Sequence, residues 1–449
     1  MPEYNRRVSR KLSPRSTMTV AGLLVVLAAA VRMPFWLSHT HVYGNGDAAI
    51  WQVWSRAIHE HGFINVLRTA DSNNVGYHYV LWPISAIYGA IDGEYELWTP
   101  LLRIMMKVPP FMCDLALAAL IFYVARGLVR SGDEARRNLL AAGASAAFVL
   151  APATIYDSMW WTQIDSVITL CMLGAAVLLA RGHVMAAWAL LTVGFLFKPQ
   201  PIVVVPVLAA FTYWRFGLVA SARGVAAVAL TALAALAPFL LHGDAVRIVE
   251  AYDRMFEQWP LDLSQGAWNG WSILDARGDP GPSDIALSLG GFDVSYAVLS
   301  LGLCVLATLV ALAYLRRHLD LTGLLLASAA MVFAFYMLPT STHERYLYPA
   351  FALAAPLLVR APGWFVAGYA LLSTTFFLNL LAINPPSASE FWQWQGTDFA
   401  VAIAALHVAV YVVFVAAMLA RSVRLPAVRT RALRIPARAT MRYRSAEAE

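Results

Sequence analysis

Lys198 stands in the run FLFKPQP. The apolar stretch before it, residues 184–197, would make about 21 Å of helix at 1.5 Å per residue. That is short of a bilayer core of about 30 Å. Pro199 and Pro201 then break the helix, so Lys198 is expected at a helix break below the surface. A lysine at such depth costs about 2.5–3.5 kcal/mol and must be offset. A carboxylate counter-ion would do this structurally; a bound anionic headgroup such as a phosphate would do it functionally. THERYLYP, residues 342–349, places His343, Glu344 and Arg345 in a row beside Tyr346 and Tyr348. Arg345 and His343 suit a phosphate, since guanidinium binds it bidentately and imidazole adds a donor, although arginine also snorkels to interfaces.

Three further segments have composition suited to chemistry. YDSMWWTQID, residues 156–165, combines Asp157, Gln163 and Asp165 with Trp160 and Trp161. That mixture fits a sugar, and it equally fits a membrane interface. Asp47 follows Gly46, where an N-cap explains it; a carboxylate there can also serve as a general base. Tyr77 and His78, in VGYHYVLWP at residues 75–83, are further candidates for substrate contact, beside a purely structural reading. No Walker, Rossmann or H-E-x-x-H pattern appears.

The elements that must position these residues are membrane helices. The hydrophobic fraction is 60% and only 13% of residues are charged, about half the charge of a soluble domain. Apolar runs fall near 17–37, 101–125, 138–152, 164–180, 184–197, 201–214, 224–241, 294–315, 321–338, 346–359, 362–383 and 399–420. The expectation is an all-α polytopic protein of about 11–13 transmembrane helices, residues 1–420 forming one domain. Residues 421–449 follow as a basic cytoplasmic tail, expected to be disordered. The first run is expected to be a signal anchor, although Ala28 and Ala30 supply an A-x-A cleavage pattern. Cys113, Cys171 and Cys304 lie far apart in apolar runs, without disulfide or metal spacing.

Charge orients the set. Only three of the 33 basic residues are Lys, and eight Arg follow Ala420. A basic tail beside a span reads as a topology determinant on anionic lipid rather than a nucleic-acid site. With both termini cytoplasmic, Arg126, Arg130, Arg136, Arg137, Arg181, Arg215, Arg223, Arg316, Arg317 and Arg360 fall inside. Most acids, including Asp47, Asp71, Asp157, Asp244, Asp253, Asp275, Asp279 and Glu390, fall in the opposite segments. Residues 38–100 and 242–293 then form two long outer loops. Trp51, Trp54 and Ile58 in the first, and Val249, Tyr252, Phe256 and Trp259 in the second, recur at helical spacing and predict amphipathic helices along the interface. All the unusual polar groups lie on the outer side. The expected location is a bacterial inner membrane with the site on its outer face.

The ordered motifs GDAAIW, KVPPFMCDLALAALIFYVAR, DSMWWTQIDSVITL, FLFKPQPIVVVPVL and HERYLYP, spread over about residues 15–420, resemble those of the GT-C glycosyltransferases. These are polytopic enzymes that use polyprenyl- or dolichyl-phosphate sugars. The chain looks most like bacterial relatives of the second GPI-anchor mannosyltransferase. It is also similar to the dolichyl-phosphate-glucose glucosyltransferases of the endoplasmic reticulum. The resemblance implies a GT-C fold and an inverting transfer of a hexose, with mannose as the expected sugar, to a glycan, lipid or protein acceptor. Asp47 matches the loop-one base, and Lys198, His343 and Arg345 match the residues that hold the donor phosphate. Some members use a divalent cation, Mg or Mn, and others none. The family's paired acids are represented here by Asp47 alone, so no metal is expected. A transporter or lipid flippase is the alternative, but no internal repeat stands out.

Overall fold

A computed structural model describes residues 14–37, 46–70, 72, 74–130, 132–257, 262–278, 280–387, 389 and 393–423. The expected basic tail lies outside the described residues beyond Val423, as do Asp71, Trp259, Asp279 and Glu390. Helices dominate. The strands among the described residues are two short pairs, one parallel and one antiparallel.

Among the described residues six helices are long and apolar enough to cross a membrane: Ser16–Leu37, Pro100–Leu128, Leu218–Leu241, Tyr296–Arg317, Gly363–Ile383 and Asp398–Ser422. The chain is therefore a multi-pass membrane protein. Glu134–Val149 and Pro152–Trp160, bent by 53° at a short break, would make a seventh span. The expectation of a dozen apolar runs differs because apolarity does not separate lipid-facing from protein-facing helices. Asp165–Ala180, Val184–Phe197 and Leu321–Met337 are apolar but shorter. At 1.5 Å per residue they reach about 21–26 Å. Leu321–Met337 is buried on every side from Gly323 to Ala334, so protein rather than lipid surrounds it.

Two charged residues inside apolar runs join the helices. Arg32, fully buried, donates through Nε to Asp114 Oδ2 at 2.7 Å. Its Nη1 donates to the Val149 carbonyl at 2.6 Å and the Ala28 carbonyl at 3.3 Å. Asp114 also accepts from Ser158 Oγ at 2.6 Å and from the Tyr348 hydroxyl at 3.0 Å. One carboxylate thus ties together the first span, the second span, the break near Ser158 and the helix Tyr348–Ala354. A buried charge is tolerated only when paired and fully hydrogen-bonded.

The first long loop folds onto the bundle. Helix Gly46–His61 turns Trp51, Trp54 and Ile58 inward, as their spacing predicts, but onto protein. Trp51 meets Tyr77 at 4.8 Å and Trp54 meets His78 at 5.6 Å, both edge-on. A Cβ at Gly76 would lie 2.7 Å from the backbone of Leu196. Helix Val75–Ile91 therefore rests backbone to backbone on the end of Val184–Phe197, two residues before Lys198. In the second loop, helix Ala245–Glu257 buries Ile248 and Ala251 and stacks Tyr252 on Phe195 at 6.1 Å, as expected for Tyr252, but leaves Val249 exposed; the Phe256 side chain lies outside the described residues. Asp244, just before this helix, accepts from Arg68 Nε at 2.6 Å.

Asp114→Ala should leave the Arg32 guanidinium buried and unpaired, lowering stability by about 3–5 kcal/mol. Thermal unfolding of the detergent-solubilised protein measures this. The double change of Arg32 and Asp114 to leucine should recover part of the loss. A loss below about 1 kcal/mol in the single variant would place the pair with weak surface ion pairs.

Candidate functional site

Lys198 sits where the sequence places it. Helix Val184–Phe197 ends at Lys198, whose extended backbone (φ −152°, ψ 148°) is what a following proline favours. A 3-10 turn, Gln200–Val204, and the helix Val205–Phe216 continue beyond the break. The ammonium is buried. It donates to Asp165 Oδ1 at 3.2 Å, Asp165 Oδ2 at 3.1 Å and Gln163 Oε1 at 3.1 Å. The counter-ion reading of Lys198 is therefore met by Asp165, the first residue of helix Asp165–Ala180.

Gln163 passes the interaction on. While Oε1 accepts from Lys198, Nε2 donates to Asp47 Oδ2 at 2.6 Å. This arrangement uses each end of the amide for the charge it matches. Asp47 lies in the first turn of helix Gly46–His61. The same Oδ2 is 3.3 Å from Arg345 Nη2. Arg345 Nη1 donates to Glu344 Oε1 at 2.8 Å, and its Nε is 4.0 Å from Asp165 Oδ2. The guanidinium lies over the Trp161 ring at 5.7 Å. His343 Nδ1 is 3.7 Å from Glu344 Oε2, and its ring packs against Tyr346. Four separate stretches of chain thus meet in one network.

Two non-glycine residues take left-handed backbone conformations at this point. Thr162 has φ +64° just before Gln163, and Ser341 has φ +58° just before the 342–345 segment. Such conformations persist where surrounding structure over-determines them, and they concentrate at functional sites. The second segment is further fixed by the parallel pairing of Gln265 with His343 and by the Ser341 amide donating to Leu263 at 2.8 Å. A Cβ on Gly266, whose φ is +86°, would lie 3.2 Å from Glu344 Oε2.

Accessibility ranks these groups. The Asp47 side chain is 33% exposed, His343 29% and Arg345 14%. Lys198, Asp165, Gln163 and Glu344 lie beneath them. Burial pushes the Asp47 carboxyl up, but Arg345, Lys198, the Gln163 amide and His343 together hold it below its ordinary 3.8. Burial likewise opposes Glu344, and Arg345 and His343 keep it below its ordinary 4.5. Burial pushes Arg345 down, and Asp47, Glu344 and Asp165 outweigh this, so it stays protonated.

Of the other expected site residues, Trp161 and Asp157 adjoin the network from within, while Tyr77 and His78 lie away from it. Tyr77 and His78 are fully buried behind the Gly46–His61 helix. Burial holds the His78 ring neutral, pushed down to about 3. Neither nitrogen of that ring, nor the Tyr77 hydroxyl, has a hydrogen-bond partner among the described residues. Trp160 is half-buried and stacks on Tyr156 with ring centroids 6.0 Å apart, and Trp161 is covered by Arg345. Asp157 is fully enclosed in the π-helical turn Tyr156–Trp160, and neither of its carboxylate oxygens has a partner among the described residues. The segment 156–165 thus faces the protein interior rather than presenting an open face. Arg32 and Asp114, which brace it together with Tyr348, are not among the residues expected from sequence. Their signal was an arginine and an aspartate inside otherwise apolar runs.

Among the described residues no three His, Cys, Asp or Glu side chains converge as a metal would need. Comparison with known families finds none that matches the chain, and comparison with curated proteins finds no similar sequence.

The depressed carboxyls make a pH prediction. Asp47 and Glu344 bind protons more weakly folded than unfolded. Their contribution to stability is therefore complete above the ordinary carboxyl range and lost as pH falls through their lowered native values. In Arg345→Gln, burial acts without its main opponent, and the acid-induced fall in melting temperature between about pH 6 and pH 3 should flatten or reverse. A native-like slope in that variant would remove Arg345 as the group that holds the two carboxyls down.

Proposed function

We propose that the protein is a GT-C-type glycosyltransferase of a bacterial plasma membrane. It would transfer a hexose, mannose on resemblance, from a polyprenyl-phosphate sugar to a glycan, lipid or protein acceptor, with inversion. The observation that carries this reading is the 3.3 Å contact between the Asp47 carboxylate and the Arg345 guanidinium, both of which reach the surface of the network. A general base for an acceptor hydroxyl and a cation for a leaving phosphate belong in one site on opposite sides of the reacting carbon, so the Asp47–Arg345 contact would have to part as the substrate enters between them.

The charges divide the labour. Asp165 is held by Lys198 and Glu344 by Arg345. Asp47 is the most exposed of the three carboxylates and the one reached by the Gln163 amide. The donor phosphate would meet Arg345 and His343 first, with Lys198 acting from beneath through Gln163 and the local field. As the phosphate draws on Arg345, the hold of that guanidinium on Asp47 weakens. The carboxyl pKa then rises toward the range in which it is an effective base. The acceptor oxygen forms its bond to the anomeric carbon, the carbon–oxygen bond to phosphate breaks, and the electron pair leaves with the lipid phosphate. The acceptor proton passes to Asp47. Arg345 and His343 stabilise the charge that develops on the departing oxygen.

An apolar cavity of about 410 Å³ supports a lipid-linked donor. Leu347, two residues past Arg345, is among its lining residues, with Phe351, Phe365, Tyr369 and Phe414. Apolar space of this size inside the bundle suits the isoprenoid chain of such a donor. Facing is read from charge. Arg126, Arg130, Arg181, Arg215, Arg316 and Arg360 lie at the helix ends opposite the network, and the positive-inside rule then turns the network outward with both termini cytoplasmic.

Transfer of radiolabelled hexose from polyprenyl-phosphate hexose, measured in membranes, tests the reading. Asp47→Asn should lower the rate by about 10²–10⁴-fold while leaving donor affinity intact. Arg345→Gln should weaken donor binding, and Lys198→Ala should do so less. Full activity in Asp47→Asn alongside its loss in Asp47→Ala would reduce Asp47 to a helix cap.

A further inference from the structure

The end of the bundle opposite the network holds a second cluster of charge. Helices Val108–Leu128 and Glu134–Val149 meet there, and the 3-10 helix Ala355–Arg360 packs on both. A helix of 21 residues separates this end from the Lys198 end by about 30 Å. Here Arg130, Arg136 and Arg360 line one cavity of about 570 Å³, together with Val129, Leu140 and Val359.

The neighbouring charges sharpen the point. Arg126 is neutralised by Glu134 at 3.1 Å and donates to Asn138 at 2.7 Å. Asp133 accepts from the Ala135 amide and Asp320 from the Gly323 amide, each capping its own helix. Among the described residues none of the three cavity arginines forms an ion pair. Burial and the like charge of Arg130 both push the Arg360 pKa down, offset in part by Asp320. Three guanidinium groups therefore share a space that favours an anion. Topology alone needs arginines near span ends; it does not need three of them around one cavity with an apolar wall.

We propose that this cavity binds the phosphate of an anionic membrane lipid. The guanidinium groups match phosphate geometry bidentately. The site lies at the ends of the helices, where the headgroups around a multi-pass protein are expected. The exposed Leu140 beside it offers apolar contact for the start of an acyl chain. The same phosphate chemistry could be supplied by a soluble ion, and the test separates the two sources.

The full-length protein in neutral detergent is titrated with phosphatidylglycerol, phosphatidylcholine or inorganic phosphate, and binding is read from the melting temperature. Phosphatidylglycerol should stabilise it and phosphatidylcholine should not. The triple variant Arg130→Gln, Arg136→Gln, Arg360→Gln should bind phosphatidylglycerol on the order of a hundredfold more weakly. Arg136→Gln alone should lose about fivefold, which keeps the test open should the triple variant misfold. Arg181→Gln, exposed at the same end but outside the cavity, should bind as the native protein does. Unchanged affinity in the cavity variants, or an equal loss in Arg181→Gln, overturns the site. Equal stabilisation by inorganic phosphate overturns the lipid as its source.

Discussion

An ammonium group cannot be left alone in an apolar interior, and much of the arrangement around Lys198 answers that constraint. Asp165 supplies the opposite charge with both oxygens, and Gln163 supplies a neutral acceptor. The other end of the same amide then has a donor to place, and it reaches Asp47. Asp47 in turn faces Arg345, which is held by Glu344. Each link satisfies one partner and creates a demand for the next. Loops distant in sequence are thereby drawn to one point, and a carboxylate and a guanidinium are left side by side at its surface.

That network needs a scaffold whose helices do not slide. The Arg32–Asp114 pair provides it, since Asp114 also accepts from Ser158 and Tyr348. Ser158 lies in the turn that leads to Gln163 and Asp165, and Tyr348 follows Arg345 by three residues. The buried pair therefore sets the positions of both segments that bring site residues. Gly76 does the same for the outer loop by allowing its helix to lie against the backbone of Leu196.

The two ends of the bundle differ in chemical character. At one end acids and bases are paired, and long loops cover them. At the other, short connections present arginines, of which Arg130, Arg136 and Arg360 share a cavity without a carboxylate partner among the described residues. Paired charge fits a site that must assemble both acid and base roles. Unpaired positive charge fits contact with an anionic surface.

Composition and spacing by themselves determined that the chain is a helical membrane protein, because burying some 60% apolar residues leaves no other economical arrangement. They also determined the break at Lys198, since two prolines act locally on a helix too short to cross. The inward stripe of Trp51, Trp54 and Ile58 was legible for the same reason, helical periodicity being a local property. Only the tertiary structure decided which charges meet. Lys198 and Asp165, Gln163 and Asp47, and Arg32 and Asp114 are pairs separated by 33, 116 and 82 residues. Local pattern contains no information about distance across a bundle. It likewise could not separate helices that face lipid from those that face protein, so a dozen apolar runs became six long spans and several shorter, enclosed helices. Nor could it show that Tyr77, His78 and Asp157 turn inward, because polarity states what a side chain can do, and packing decides what it touches.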